Sequence, residues 1–310
     1  MNNKAENNAT REIRCPLCER DNYAVLTEAK LDKAEYSFNY LTEVPSHYRI
    51  VRCRDCKMVY SNPIFSEEKI LSLYRDSAID KCIDSTAESI RINMCRYLER
   101  LSRFSGVRKG RILDIGCGAG HLLEYAASRG FEVCGVEPSV NAACHSRRIP
   151  GADIKPGAYT RGMYPPESFD LITAVHVIDH VVSPRELLLT AQYHLKPDGY
   201  LLVATHNTAS WLGKISGKDF IAYHVQHVGY FDPGLLREMM RRCGLVPVKT
   251  MGSLTTYPLG HFAENGIRNR RLREMALKCF KAFNLSSLKL TLPMGNMEII
   301  CKKRKGNRYA

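Results

Sequence analysis

Short apolar runs alternate with longer amphipathic runs through the last two thirds of the chain. Strand-like runs such as RILDI at 111–115 and FDLITAVHV at 169–177 are followed by stretches with helical spacing, such as GHLLEYAASRG at 120–130. Strands that alternate with helices of this length predict a parallel sheet wrapped by helices on both faces. We therefore expect an α/β domain that begins near Gly110.

The pattern predicts two helices between the N-terminal segment and this domain. Ser66 caps the first, which starts with two acidic residues, and the second spans about 86–104. The boundaries that follow are 1–64 for a small cysteine-containing module, 65–109 for a helical connector or lid, and 110–310 for the main domain.

Four of the twelve cysteines form two C-x-x-C pairs, Cys15 with Cys18 and Cys53 with Cys56. Two such turns supply four thiolates in the tetrahedral arrangement that zinc accepts, and four cysteines leave no open position for chemistry. The alternatives are a pair of disulfides or a redox C-x-x-C, but the βαβ context of a redox motif is missing here. We predict a structural zinc ion, strands between the two pairs, and reduced thiols at the other eight cysteines.

The stretch LDIGCGAG at 113–120 places three alternating glycines at the end of a predicted strand. In parallel α/β sheets the ligand lies at the carboxyl ends of the strands, where glycines allow a sharp turn and close backbone approach. The pattern is D-x-G-x-G-x-G, whereas a dinucleotide site would read G-x-G-x-x-G. A different ligand is therefore indicated.

This loop and three further motifs resemble the class I S-adenosylmethionine (SAM)-dependent methyltransferases. The further motifs are VCGVEPS at 133–139, SFDLITAVHVIDHVVSP at 168–184 and LKPDGYLLVATHN at 195–207. They follow in the family's order, although Asp179 stands where relatives usually have glutamate, and a His-Asn pair stands where they tend to have Pro-Asn. The resemblance covers about 86–304 and implies a SAM cofactor.

The fold that the resemblance implies is a doubly wound, seven-stranded Rossmann-like methyltransferase sheet with a small N-terminal zinc-ribbon module. The last two strands, GLVPVKTM at 244–251 and MEIICKKR at 297–304, would then be antiparallel. The cofactor residues it implies are Asp114, Gly116, Cys117, Gly118, Gly120, Glu137, Pro138, Val175 and His176.

Two of these acids have distinct expected roles. Glu137 ends the second strand, where a carboxylate can accept hydrogen bonds from both ribose hydroxyls of a nucleotide. Asp114 lies between apolar strand residues, where an unpaired charge is costly, so we expect it to have a partner in the glycine loop.

Methyl transfer from a sulfonium requires alignment of the acceptor behind the methyl carbon, and it requires a base only for a weakly acidic acceptor. Four histidines are candidates for that base: His180, His206, His224 and His227. We predict His227 first, because its segment FIAYHVQHVGYFDP resembles the family's substrate-covering segment, and His180 second. The alternative for either is a hydrogen-bonded structural histidine.

The acceptor is predicted from the cysteine module and the charge distribution. RCRDCKMVYSNP at 52–63 resembles the zinc-ribbon start of bacterial methyltransferases associated with sugars, natural products and quinone-type molecules, so a small-molecule acceptor is favoured. Some ribosomal RNA methyltransferases also carry such a module, and residues 231–310 hold 16 basic against 5 acidic side chains. RNA is therefore the rival partner, although residues 1–60 are nearly neutral. A non-catalytic zinc-bearing adaptor is a third hypothesis.

The hydropathy pattern shows no apolar run near the roughly 20 residues that a membrane helix needs, and the first residues are polar and charged. We therefore expect a cytoplasmic protein without a membrane partner.

Overall fold

The computed structural model describes residues 10–30, 46–75, 80–217, 220, 222–266 and 269–304. Its strands are β1 (Thr10–Arg11), β2 (Tyr23–Thr27), β3 (Ile50–Cys53), β4 (Val59–Ser61), β5 (Ile64–Phe65), β6 (Gly110–Ile115), β7 (Phe131–Glu137), β8 (Asp153–Pro156), β9 (Phe169–Val175), β10 (Leu195–His206), β11 (Gly229–Tyr230), β12 (Leu245–Pro258) and β13 (Lys289–Lys303).

The helices account for the amphipathic runs. They are α1 (Glu67–Arg75), α2 (Asp80–Ser105), α3 (His121–Ser128), α4 (Val140–Ser146), α5 (Pro184–His194), α6 (Trp211–Ser216), α7 (Pro233–Arg242), α8 (Leu259–Gly266) and α9 (Arg270–Ala282). Ser66 caps α1 as predicted, because its Oγ accepts the Lys69 N–H at 3.2 Å. Within the described ranges, no helix has the length and apolar content needed to cross a membrane.

A seven-stranded sheet forms the centre of the main domain, with strand order β12-β13-β10-β9-β6-β7-β8. The five strands from β10 to β8 are parallel, and β12 and β13 are antiparallel to their neighbours. Apolar side chains of α2 and α3 pack on one face, and those of α5 and α7 pack on the other. This arrangement confirms the doubly wound α/β sheet with two antiparallel C-terminal strands.

The N-terminal module contains strands between its cysteine pairs, as predicted. β2, β3 and β4 form an antiparallel sheet, and β11 from the main domain adds a fourth strand through the pairs Gly229 with Tyr60 and Tyr230 with Val59. Ser61 Oγ also donates a hydrogen bond to the His227 carbonyl at 2.9 Å. The module and the segment around His227 therefore share one sheet.

The two basic runs near the C-terminus, RNRRLRE at 268–274 and KKRKGNR at 302–308, have different structural positions. Lys302 and Lys303 belong to β13, where Lys302 pairs with Asp198 and the buried Lys303 bonds to Glu167 and the Leu195 carbonyl. The run at 268–274 lies mainly on α9, and its first residue, Arg268, lies outside the described part of the chain. Residues 305–310, which follow β13, lie outside it as well. The two lysines that begin the second run are thus paired within the protein.

Candidate active site

The glycine loop joins β6 to α3 and contains three left-handed backbone positions. The φ angles are +69° at Gly116, +52° at Gly118 and +89° at Gly120, a region that favours glycine. A Cβ at Gly116 would lie 2.6 Å from Val177 Cγ2, whereas a Cβ at Gly118 would meet no protein atom within 4 Å. The loop therefore packs against the segment after β9 and leaves open space beside Gly118.

Asp114 is buried, and its partner differs from the predicted one. Its Oδ1 accepts a hydrogen bond from Thr173 Oγ1 at 2.6 Å, because Asp114 on β6 stands opposite Thr173 on β9. The expectation of a partner in the glycine loop was wrong, since the neighbouring strand supplies it. Burial raises the pKa of Asp114 to about 7, and the charge of the nearby Glu137 adds to this.

The raised pKa makes a testable contribution to stability. The folded state holds the Asp114 proton up to about pH 7, whereas the unfolded chain releases it near the ordinary aspartate pKa of 3.8. Stability therefore falls as the pH rises between these values, by up to about 1.4 kcal/mol per pH unit. We expect Asp114→Asn to gain stability relative to the parent protein from pH 4 to pH 7 in urea unfolding without ligand. Parallel curves for the two proteins would contradict the assignment.

Glu137 ends β7 and is bonded to the glycine loop. Its Oε2 accepts the Gly118 N–H at 2.8 Å, and its Oε1 accepts the Ser139 N–H at 2.8 Å. Burial raises the pKa of this carboxyl, while the two backbone donors act in the opposite direction. Each oxygen keeps a further lone pair for a ligand hydroxyl, since a carboxylate has about four acceptor positions.

The predicted cofactor residues lie at the carboxyl ends of three adjacent strands. The glycine loop, with the buried Cys117, follows β6, and Pro138 follows β7. Val175 ends β9, and His176 follows it with a φ of +53°. Pairing of β6 with both β7 and β9 brings these ends together, which is the usual ligand position in a doubly wound sheet.

A cluster of histidines lies around Asp179, in the segment that follows β9. Ring centroids are separated by 5.1 Å for His176 and His206, 4.5 Å for His180 and His227, 5.2 Å for His206 and His227, and 6.3 Å for His224 and His227. Burial lowers the pKa of His180 and of His206 to about 3, and that of His224 to about 4. These three imidazoles are therefore neutral near pH 7.

His227 is held in a defined orientation. Its Nδ1 lies 2.6 Å from the Ala222 carbonyl, which can only accept, so Nδ1 carries a proton and donates this hydrogen bond. Nε2 faces Asp179 Oδ2 at 3.9 Å. His180 is oriented by a different bond, because its Nδ1 is hydrogen-bonded to the Tyr74 hydroxyl, which can donate or accept. Tyr74 was not named from the sequence, because nothing in its helix pattern indicates which face meets the main domain.

The four paired cysteines converge at one point of the N-terminal module. The Sγ atoms of Cys15 and Cys56 are 3.4 Å apart, those of Cys18 and Cys53 are 3.5 Å apart, and all four lie within 4.8 Å of one another. Tetrahedral zinc thiolates have sulfur–sulfur distances of about 3.8 Å. The cluster that the spacing predicts is therefore present.

Residues 88–250 match a family model described as a methyltransferase domain, which is more than half of the chain. The chain belongs to this methyltransferase family. Together with the solved structures below, the match confirms the predicted family and the predicted fold.

Curated relatives of this methyltransferase include two ubiquinone biosynthesis O-methyltransferases. The protein from Serratia proteamaculans is 30% identical over 139 residues, which is 42% of this chain and 58% of the relative. The protein from Yersinia enterocolitica is 29% identical over 140 residues, or 42% and 57%. The alignment thus spans less than three fifths of the length of these curated relatives.

Solved structures show the same fold at lower identity. A SAM-dependent methyltransferase of Thermotoga maritima superposes with a TM-score of 0.50 at 20% identity, covering 73% of this chain and 96% of that one. A chain from the Haloferax volcanii complex of the Trm112 methyltransferase activator with a methyltransferase gives 0.53 at 13% identity, covering 76% and 100%. At these identities the likeness establishes the fold of this methyltransferase.

Proposed function

We propose that this methyltransferase transfers the SAM methyl group to a hydroxyl oxygen of a small molecule of the quinone, sugar or natural-product type. The observation that carries the proposal is the position of His227 in a histidine cluster that includes His176, which directly precedes the residue packed on Gly116 of the glycine loop. An imidazole nitrogen in that position can accept the proton that a hydroxyl acceptor must lose as it is methylated. The names of the curated O-methyltransferase relatives support the same reaction.

The proposed reaction is an in-line displacement at the methyl carbon. The loop around Gly118 and the carboxylate of Glu137 would hold SAM, with the ribose hydroxyls on Glu137. The hydroxyl oxygen of the acceptor attacks the methyl carbon, the carbon–sulfur bond breaks toward sulfur, and His227 Nε2 takes the proton. His180, held by Tyr74, is the second candidate for this proton. Covering of the site by the segment around His227 would exclude water.

The paired cysteines fit a structural zinc ion, which we propose for the N-terminal module. Both pairs lie in turns of the same form, since the N–H of Glu19 bonds to the Cys15 carbonyl and that of Lys57 to the Cys53 carbonyl. Four sulfurs at the observed spacing fill a tetrahedral site. The ion would stabilise a segment that is too small to fold on its own core.

An RNA acceptor is less well supported by the described residues. Lys302 and Lys303 are engaged in ion pairs within the main domain, and Lys303 is only 6% exposed. Phosphate contacts need accessible cations, and pairing removes these two. The intact glycine loop and its bond to Glu137 argue against a non-catalytic adaptor.

Transfer of a labelled methyl group tests the acceptor class. Purified protein with methyl-labelled SAM is incubated with a cell extract, which is then divided into RNA, protein and small-metabolite fractions. We expect label in the small-metabolite fraction, bound through a methyl ether. Label in RNA would overturn the proposal.

Glu137 gives a second test, on the cofactor. We expect Glu137→Ala to weaken SAM binding by about 100-fold in calorimetry, on the order of two charge-assisted hydrogen bonds. Glu132→Ala is the matched control, because Glu132 is an exposed acid at the other end of the same strand. Equal affinities for the two variants, with unchanged circular dichroism, would refute the ribose assignment.

A further inference from the structure

Asp179 is a buried carboxylate that lacks a hydrogen bond from any described residue. The residue is 2% exposed, and neither Oδ1 nor Oδ2 has a hydrogen-bond partner in the described ranges. The nearest ring nitrogens, Nε2 of His180 and of His227, are 3.8 and 3.9 Å away, which exceeds hydrogen-bond distance. Buried carboxylates are normally paired, hydrogen-bonded or bound to a metal. This carboxylate therefore lacks the partner that its burial requires.

Two backbone hydrogen bonds hold Asp179 in place. The Asp179 carbonyl accepts the N–H groups of Val228 at 2.7 Å and Gly229 at 3.1 Å. These donors belong to the segment that joins the sheet of the N-terminal module. The fold therefore holds an unbonded carboxylate in place at the edge of the candidate active site.

Two histidines face this carboxylate from the ends of adjacent strands. His176 follows β9 and donates its N–H to the Ala204 carbonyl at 2.8 Å, and His206 ends β10. His206 Nδ1 is buried and, among the described residues, has no hydrogen-bond partner. The left-handed φ of +53° at His176 is uncommon for a histidine, and such conformations are concentrated at functional sites.

We propose that His176, Asp179 and His206 bind one divalent transition-metal ion of the zinc or iron class. One ligand atom from each side chain lies within 4.8 Å of the others. The centre of an equilateral triangle with that edge is about 2.8 Å from each corner, so shifts of at most about 0.7 Å give ordinary metal–ligand distances. Two imidazoles and one carboxylate favour such metals over magnesium and leave coordination positions open, unlike the closed cysteine site.

The metal would define the acceptor further, and this step rests on the proposed function. An acceptor hydroxyl bound at an open position is acidified, and its proton passes to His227 Nε2. The oxygen then uses a lone pair to form the bond to the methyl carbon, and the electrons of the broken carbon–sulfur bond remain on sulfur. The products are a methyl ether, S-adenosylhomocysteine and protonated His227. The substrate class is thus a hydroxyl compound whose oxygen can bind a metal.

Zinc binding to the full-length protein tests the site without an activity assay. Metal-free protein is titrated with zinc against a chromophoric chelator, and the bound zinc is measured by mass spectrometry. We expect two equivalents, one at the cysteines and one here. Asp179→Asn and His206→Asn should each lower the affinity for the second equivalent by more than about 100-fold, because they remove ligands directly. His224→Asn is the matched control, since His224 is a buried histidine of the same cluster and is not one of the three proposed ligands.

Cobalt and heat give two further readouts. Cobalt at the cysteines shows thiolate charge-transfer absorption, and cobalt at the second site lacks it, so spectra assign each equivalent. With the cysteine site filled, additional zinc should raise the Tm of the parent protein and of His224→Asn, but not of Asp179→Asn. Circular dichroism checks that each variant is folded. If Asp179→Asn is unfolded, His206→Asn provides the test.

A single zinc equivalent in the parent protein would overturn the proposal. A second equivalent that persists in folded Asp179→Asn would do the same, and one that persists in His206→Asn would refute this ligand set. SAM calorimetry on the same samples separates the two hypotheses. If the protein binds SAM normally but binds only one zinc ion, the proposed metal site is wrong and the proposed function stands. If the protein does not bind SAM, the proposed function is wrong at any zinc stoichiometry.

Discussion

Replacement of His227 by asparagine is expected to lower kcat by about 10²- to 10⁴-fold while the affinity for SAM stays unchanged. The asparagine side-chain amide can still donate to the Ala222 carbonyl, as His227 Nδ1 does at 2.6 Å. The variant therefore keeps the bond that shapes the segment and removes only Nε2, the nitrogen that faces Asp179. Single-turnover transfer from labelled SAM measures the chemical step directly, and calorimetry measures the cofactor affinity.

The control for this change is another buried histidine in the same segment. His224→Asn removes an imidazole whose ring centroid is 6.3 Å from that of His227, and whose Nδ1 accepts a hydrogen bond from the Gln226 N–H. We expect it to retain activity within a few-fold. Equal losses in the two variants would indicate that both histidines act through packing, and an active His227→Asn would exclude it as the base.

Loss of the proposed zinc ion should have the largest effect on folding. We expect Cys18→Ser to release the ion and unfold the N-terminal module, because structural zinc contributes apparent free energies of about 10 kcal/mol or more in small zinc domains. The effect should extend to catalysis, since Gly229 pairs with Tyr60 and Ser61 bonds to the His227 carbonyl. Loss of the ion is measured by the zinc content, unfolding of the module by limited proteolysis at 10–65, and the effect on catalysis by the methyl-transfer rate.

Cys144→Ser is the matched control for the cysteine change. Cys144 is an exposed thiol on α4, far along the chain from both C-x-x-C pairs. It should keep full zinc content and full activity. A Cys18→Ser protein that loses zinc and still resists protease in its first 65 residues would show that the module folds without the metal.

Four of the five parallel strands of the central sheet, β6, β7, β9 and β10, were predictable because each ends in a recognisable motif. The run at 111–115 leads into glycines, and the next strand ends in Glu137, so each strand is marked by its apolar run and by its ligand-facing end. Neighbouring strands then bring Asp114, Gly118 and Glu137 together without any further information. The partner of Asp114 was missed because Thr173 is 59 residues away and only the strand register brings them opposite.

The length of the antiparallel strands β12 and β13 was less predictable. The sequence indicated strands at 244–251 and 297–304, whereas β12 and β13 extend much farther and carry α8 and α9 between them. In the extended part the two strands pair with each other and leave Leu254 and Leu292 about 40% exposed. Without a buried face, the alternation of apolar and polar residues that identifies a strand is weak.

The histidine cluster was predictable only in part. The spacing of His176, Asp179 and His180 is visible in one motif, but His206 and His227 approach from two other segments. Whether a histidine is a structural residue or a reactive one depends on its hydrogen-bond partners, such as the Ala222 carbonyl, and sequence patterns do not specify these.

Pairing of β11 with β4 also limits how this protein can be recombined with its relatives. A chimera that takes residues 10–65 from another methyltransferase must also take the segment around Gly229 and Tyr230, because the two halves of that ladder are 169 residues apart in the chain and match in register. A chimera with only one half would leave an open strand edge, which invites aggregation. We expect the module and this distant segment to be inherited as a unit.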